Sequence, residues 1–425
     1  MKSILIKSGM VADPIKDRVV NADILIEDGR IADIQENLDI ETDIAIDATG
    51  LYIMPGLVDI HVHLRDPGQT HKEDIHSGCM AAAAGGFTAI ACMPNTSPVV
   101  DSPEIVSYII DKAKTAAAKV YPIASATKAQ IGKKICDYAQ LKSAGAVAIS
   151  DDGVPVKNAA IMQKAMQSAA KVGIPIISHC EDMDIIGDGI MHKGIVSDEL
   201  GISGMDRTSE DSITAREIAI AAATDTPIHI AHVSTRGSVA LIRDAKARGV
   251  NVTAETCPHY LIFTHEELRA RDADFRMNPP LREQSDKVAL IEGICDGTID
   301  CIVTDHAPHT TEEKSNFESA PNGVVGLETS LAAVLDVLFH SGRLSLPQIA
   351  RIMSTSPCEI LGVDSGRIEI GGIADLTIIN PDLEWEVSAN ELKSKSKNTP
   401  FKGRKLKGRA IYTICDGKIT YKYER

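Results

Sequence analysis

Asp59-Ile60-His61-Val62-His63-Leu64-Arg65 closes an apolar run that begins at Ile53. In an extended strand, residues i and i+2 share a face. His61 and His63 therefore point the same way and can hold one ion together, with Asp59 and Arg65 on the same side. An HxH pair alone is more often incidental than a metal site. Its meaning depends on whether the chain supplies matching ligands at matching places.

Outward from this stretch, Pro55 to Gly362 alternates strand and helix. Apolar, β-branched runs recur at 57–62, 87–93, 120–124, 146–150, 174–178, 227–233, 250–255 and 300–304. Helical periodicity fills most gaps. Ser102-Pro103-Glu104 is a helix start with proline in the first turn. Residues 159–171 place Ile161, Met162, Ala165, Met166 and Ala169 on one face, and Gly173 closes the helix. Residues 212–223 and 238–248 read similarly. The methionines here are core filling. This order predicts a (β/α)₈ barrel of the TIM type. A doubly wound open sheet is the alternative, but no GxGxxG follows the first strand.

Both termini have a different texture. Residues 3–7, 22–27 and 30–34 read as strands, and Asp28-Gly29 is a hairpin turn. Residues 375–379, 410–415 and 418–421 repeat the pattern around Asp416-Gly417. The expected organisation is one small β-sandwich built from residues 1–54 and 366–425, around a barrel of residues 55–365. The basic run Lys393, Lys395, Lys397, Lys402, Arg404, Lys405 and Lys407 reads as a solvated linker.

The barrel prediction carries a test, because active sites of such barrels sit at the carboxyl ends of the strands. His61 and His63 end the first strand, and Asp151-Asp152 follow the fourth. His179 and Glu181 follow the fifth, His232 the sixth, and Asp305, His306 and His309 the eighth. Imidazole and carboxylate without convergent thiolates suit zinc, and also manganese, cobalt or iron. The set is too large for one catalytic zinc and would serve two ions about 3.5–4 Å apart. Asp151 and Asp152 are the candidates for a bridging carboxylate. His71, His76, His192, His265 and His340 read as solvated or packed, and His229 as a core histidine.

Composition narrows the functional classes. The 425 residues carry a net charge of −15, which argues against nucleic acid. Nine cysteines without a CxxC pair suit a reduced interior rather than a disulfide framework. No apolar run approaches the roughly 20 residues of a membrane span, and the opening residues are too weakly apolar for a signal peptide. The expected location is cytoplasmic.

At these residues the sequence resembles the dihydroorotases of the amidohydrolase superfamily. The matching segments are Asp59–Gly68, Met93–Thr96, Ser150–Gly153, Ser178–Glu181, Ala231-His232, Glu255–His259, Met277–Pro280 and Thr304–His309 with Lys314. The resemblance implies that His61, His63 and Asp305 hold one ion, His179 and His232 the other, and Asp152 bridges them. It implies zinc, as two ions per subunit or one. Many relatives, hydantoinases and allantoinases among them, bridge with a carbamylated lysine. Here the fourth strand ends in two aspartates, and the nearest following lysine is Lys157.

It further implies that Arg65, Asn95 and His309 bind a substrate carboxylate, that Asn278 and Gly323 read the ring, and that His63 and Asn322 line the substrate. Asn322 departs from the family, which usually has an apolar residue there, and the preceding loop is a residue short. Asp305 is the expected acid–base. The implied reaction is the reversible ring opening of dihydroorotate to carbamoyl aspartate in pyrimidine biosynthesis. The implied partners are a homo-oligomer and aspartate transcarbamoylase. The rivals are another cyclic amidase, a hydantoinase or allantoinase, and an inactive scaffold for the transcarbamoylase.

Overall fold

The computed structural model describes residues 2–424. The chain opens with the antiparallel strands β1 (Ile4–Asp13), β2 (Arg18–Glu27) and β3 (Arg30–Gln35). Asp28 and Gly29 join β2 to β3 with φ of 48° and 80°. Both lie in the left-handed region that a tight hairpin requires. β4 (Ile44–Asp47) and β5 (Tyr52–Pro55) then run parallel to β1.

The barrel follows at once. β6 (Leu57–Val62), β7 (Phe87–Cys92), β8 (Lys119–Ser125), β9 (Ala148–Ser150) and β10 (Ile176–Ser178) pair in parallel. A long excursion after β10 carries a two-stranded pair, β11 (Met191–His192) and β12 (Gly204–Met205). β13 (Ile228–Ile230), β14 (Val252–Thr256) and β15 (Cys301–Ile302) complete the round. A parallel bridge between Val62 and His306 closes it, with His63 N donating to His306 O at 2.8 Å.

All eight expected strands are present. Several are shorter than their apolar runs, because the pairing continues as single bonds past the regular ladder. Ala231 N donates to Ser178 O at 3.0 Å and Val303 N to Thr256 O at 3.0 Å. Those extra bonds stiffen the carboxyl rim.

The helix Ala159–Val172 shows how the outer layer is set. Asn158 accepts from Ala160 N and Ile161 N, and Gly173 ends the helix at φ 64°. Met162, Ala165, Met166 and Ala169 are buried against the barrel. The helix expected at residue 212 begins earlier, at Thr208, because Asp206 accepts from Thr208 N at 3.0 Å.

β16 (Leu376–Glu386), β17 (Lys405–Cys415) and β18 (Lys418–Lys422) return to the first sheet, with β16 against β5. The two termini thus share one β-sandwich around Ile4, Ile6, Ile24, Ile53 and Ile378. Among the described residues no helix is long and apolar enough to cross a membrane.

One expectation is overturned. Lys393–Lys407 is no solvated linker. Ser394, Ser396, Asn398 and Thr399 are buried, and the stretch packs over the loops that follow β6 and β15. Lys393, Lys395, Lys402 and Lys405 face outward while its small polar residues face in.

Candidate active site

His61 lies at the end of β6, His63 just past it, Asp152 past β9, His179 past β10, His232 past β13 and Asp305 past β15. The fold brings all six together, buried. His63 Nε2 lies 3.2 Å from Asp305 Oδ1, and His61 Nε2 lies 3.6 Å from the same oxygen. Asp152 Oδ1 is 3.3 Å from His61 Nε2, 3.4 Å from His179 Nδ1 and 3.6 Å from His232 Nε2. Its second oxygen, Oδ2, is 3.5 Å from His63 Nε2. Asp152 therefore faces both subsets of imidazoles.

Asp151 has a different task. Its carboxylate accepts from His179 N at 3.0 Å and Val156 N at 2.8 Å. It shapes the rim and does not point into the cluster. Asp59 acts similarly, accepting from His61 N and Thr304 N at 3.0 Å each and tying the first strand to the last.

Outer partners aim the rings. His61 Nδ1 meets Glu255 at 2.5 Å, His63 Nδ1 meets Asn95 Oδ1 at 2.8 Å, and His179 Nε2 meets Glu181 at 3.0 Å. Each outward nitrogen donates, which leaves the inward nitrogen its lone pair. Glu255 also accepts from His229 at 3.1 Å, so His229 is a satisfied core histidine.

The charges show what the cluster is built for. Burial opposes a charge on His61, but Glu255 and Asp152 overcome it and hold the imidazole well above its ordinary value. His179 is raised likewise, against burial, by Asp152 and Glu181. Burial pushes Asp152 up, yet His61, His179 and His232 bring it well below the usual carboxylate range. The cluster thus draws positive charge into its centre. His61 Nε2 is buried without a hydrogen-bond partner. His179 Nδ1 and His232 Nε2 stand 2.7 Å apart, a separation two lone pairs do not tolerate without a proton or cation between them. His61, His63 and Asp305 offer donor atoms within 4.8 Å of one another, as do His61, Asp152 and His232. This donor set fits a divalent metal.

Beside the cluster lies a group of opposite sign. Arg65 is buried at φ 58°, so the chain leaves the strand alternation there. Its Nε donates to Pro308 O at 3.2 Å, and its guanidinium lies 3.2 Å from His309 Nε2. Burial lowers Arg65 to about 10, although Asp305 and Asp152 pull the other way. Burial with Arg65, Lys72 and Lys314 nearby lowers His309 to about 3. Among the described residues no carboxylate is ion-paired to Arg65; Glu313 instead engages Lys72 at 2.8 Å.

The remaining predicted residues lie around this rim. Asn95 bridges His63 and Asp152, donating to the latter at 3.2 Å. Asn278 donates to Glu181 at 2.9 Å and keeps a buried, unpaired Oδ1. Asn322 O accepts from His309 Nε2 at 2.9 Å, and its side-chain oxygen is also buried and unpaired. Gly323 stands at φ 140°, where an added Cβ would meet Ala307 O at 2.7 Å. Its amide is already given to Arg276 O at 2.9 Å. Arg65, His232 and Asp305 all have positive φ, with Asp305 at 47° and His232 at 32°. Such strain in non-glycine residues concentrates at functional sites.

Sequence reasoning did not foresee Glu255 and Glu181 as the partners that aim the rings, or Asn398 as a support. The first two were visible as acids at strand ends. A cavity of about 890 Å³ lies elsewhere, among Ile174, Pro227, Asn251 and Asp300 at the amino ends of the strands. The clustered donors do not line it, so chemistry rather than volume locates the site.

A (β/α)₈ barrel with an imidazole–carboxylate cluster at its carboxyl rim, flanked by a sandwich from both termini, defines a metal-dependent amidohydrolase. The Dihydro-orotase-like family profile matches residues 50–238. A protein named dihydroorotase from Citrifermentans bemidjiense is 51% identical over 422 residues, covering 99% of each chain. One of the same name from Acetivibrio thermocellus is 47% identical, covering 98% of each. The solved L-hydantoinase of Arthrobacter aurescens superposes with a TM-score of 0.90 at 25% identity, over 100% of this chain and 97% of that one. The chain belongs to the dihydroorotase family.

Proposed function

We propose that the chain is a dihydroorotase, which opens dihydroorotate to N-carbamoyl aspartate and closes it again in pyrimidine biosynthesis. The observation that carries this reading is Arg65. A buried guanidinium without an acid partner, set beside a metal-type cluster, asks for a substrate that is both a hydrolysable amide and an anion. Dihydroorotate is a cyclic amide bearing one carboxylate. A neutral hydantoin would leave Arg65 unanswered.

In this reading His61, His63 and Asp305 would hold one zinc ion and His179 and His232 a second, with Asp152 facing both sets of imidazoles. Ions bound there supply Lewis-acid polarisation of the scissile carbonyl and a water of lowered pKa. The side chains do the rest. Arg65 clamps the carboxylate through its planar fork, with His309 beside it. Asn278 offers its unpaired Oδ1 to a ring N–H, and the Asn322–Gly323 turn closes the far side of the ring.

Asp305 is ionised. Burial works against its charge, but His63, His61 and His232 hold its carboxyl below the usual range. It therefore takes a proton from the attacking water as the new C–O bond forms. It delivers that proton to the ring nitrogen as the C–N bond breaks. The reverse sequence closes carbamoyl aspartate and releases water.

The test assays ring opening of dihydroorotate, hydantoin and allantoin side by side. It is repeated after chelation and after zinc is added back. Turnover of dihydroorotate that chelation abolishes and zinc restores is expected. A preference for hydantoin or allantoin, or turnover indifferent to chelation, would overturn the reading.

A further inference from the structure

The stretch Leu392–Asn398 reads L-K-S-K-S-K-N and alternates in burial. Leu392, Ser394, Ser396 and Asn398 are buried, Lys393 and Lys395 are exposed, and Lys397 is half-buried. An extended chain presents alternate residues to opposite sides, so this is a two-faced ribbon.

Its inner face grips two loops at once. Ser394 Oγ and Lys395 N donate to Glu73, the latter at 3.2 Å. Ser396 Oγ donates to Lys72 O at 2.7 Å. These bonds fasten the loop that leaves β6 and carries Arg65. Asn398 fastens the loop that leaves β15. Its Oδ1 accepts from His309 N at 3.1 Å. Its Nδ2 donates to Ala307 O at 3.2 Å and Gly323 O at 2.9 Å. Its carbonyl accepts from Val325 N at 2.9 Å. One buried amide therefore joins both limbs of the loop that begins at Asp305 and returns at Gly323. Lys314 Nζ supports the same turn, donating to Arg276 O, Pro321 O and Gly323 O at 3.0–3.1 Å.

We propose that Asn398 is a positioning residue for carboxylate recognition, holding His309 and the Asn322–Gly323 turn in register with Arg65. The inference rests on the dihydroorotase reading. Among the described residues, Asn398 makes no hydrogen bond to Arg65 or to the clustered donors. It fixes the His309 backbone, and through it the imidazole that meets Arg65 at 3.2 Å. A carboxylate engages Arg65 and His309 together only while that spacing holds, and small misplacements of binding groups are costly. Without the amide donors, the buried carbonyls of Ala307 and Gly323 lose a partner and the limbs separate. The support for the loops around Arg65 and His309 is thus supplied by the segment between β16 and β17.

The test uses metal-loaded protein with Asn398→Asp, Asn398→Ala and, as a control, Lys393→Ala. Asn398→Asp keeps the acceptor for His309 N but sets an oxygen against two carbonyls. In both Asn398 variants KM for dihydroorotate should rise about tenfold while kcat stays within about threefold. Metal content should not change. Inhibition by orotate, a planar ring with the same carboxylate, should weaken in parallel, while inhibition by uracil, which lacks it, should not. Lys393→Ala should match the parent protein.

An unchanged KM, or orotate and uracil weakening together, would overturn the proposal. So would a fall in kcat at constant KM, or the failure of both variants to fold. If the parent protein does not turn over dihydroorotate, it is the functional reading that fails. If it does and the variants behave like it, only the role of Asn398 fails.

Discussion

His61, His63, Asp152, His179, His232 and Asp305 stand at the ends of strands, whereas Arg65, His309, Asn322 and Gly323 stand on loops. The strand-end group inherits its geometry from the barrel ladder, and outer partners such as Glu255 and Glu181 set three of its rings. The loop group inherits nothing from the ladder and depends on side chains from distant segments. Their fields are opposite as well. Carboxylates raise His61 and His179, while burial and neighbouring cations lower His309 to about 3. One mouth thus sets a cluster whose donors suit cations beside a group whose charge suits an anion. A net charge of −15 does not prevent this, because burial keeps the local guanidinium in command.

The sharpest way to break this contrast is Asp305→Asn. The amide preserves shape but cannot carry a proton between water and leaving nitrogen. Turnover should fall about 10²–10⁴-fold, with the melting temperature little changed. Near-normal kcat would remove Asp305 from the chemistry.

Glu255→Gln probes the support of the strand-end group rather than the group itself. The Nδ1–H of His61 would keep an acceptor but lose its anion. Affinity for zinc, read by chelator competition, should fall about 10–100-fold, while orotate binding to fully loaded protein stays normal. Unchanged zinc affinity would mean that the ladder alone orients His61.

Arg65→Lys moves to the loop group. The charge is kept and the planar fork is lost. KM for dihydroorotate should rise about tenfold or more, with metal content unchanged. An unaltered KM would show that charge alone suffices, and the carboxylate pose built here would fall.

The same contrast explains what could be read before the fold was known. The strands were legible because apolar, β-branched runs have a period that survives in sequence. The strand-end residues were legible because each lies at the end of such a run or within two residues of it. The choice between Asp151 and Asp152 was not legible from periodicity. It depends on which carboxylate is occupied by backbone amides, and those bonds reach His179 N and Val156 N. Partners remote in sequence were hidden in the same way. His61 and Glu255 are 194 residues apart, and Asn398 and His309 are 89 apart. The stretch 392–398 did carry a signal, an alternation of period two. It was masked because its inward residues are serine and asparagine, which bury by hydrogen bonding rather than by apolarity, and because lysine dominates the composition. Loops that recognise ligands are held by such polar contacts, so hydrophobic patterning is blind to them.

The smallest effect separates the two faces of that stretch. Lys395 turns outward, pairs with Asp74 and donates to Thr70 O at 2.9 Å. Partial burial pushes the Asp74 carboxyl up, but Lys395 and the Ser77 amide outweigh it and bring it from 3.8 to about 2. A lowered carboxylate stabilises the folded state fully above pH 3.8, and that contribution is lost as the pH falls through about 2. Both partners are partly solvated, so solvent screens the pair and Lys395→Ala should cost only about 0.5 kcal/mol near neutrality. The deficit in melting temperature against the parent protein, at matched metal load, should stay constant above about pH 4 and shrink between about pH 4 and about pH 2. A deficit constant across that range would place the effect in packing rather than in charge. KM for dihydroorotate should stay within about twofold, because the grip on the loops around Arg65 and His309 comes from Ser394, Ser396 and Asn398. A KM that rises as far as in the Asn398 variants would erase the distinction between the inward and outward faces.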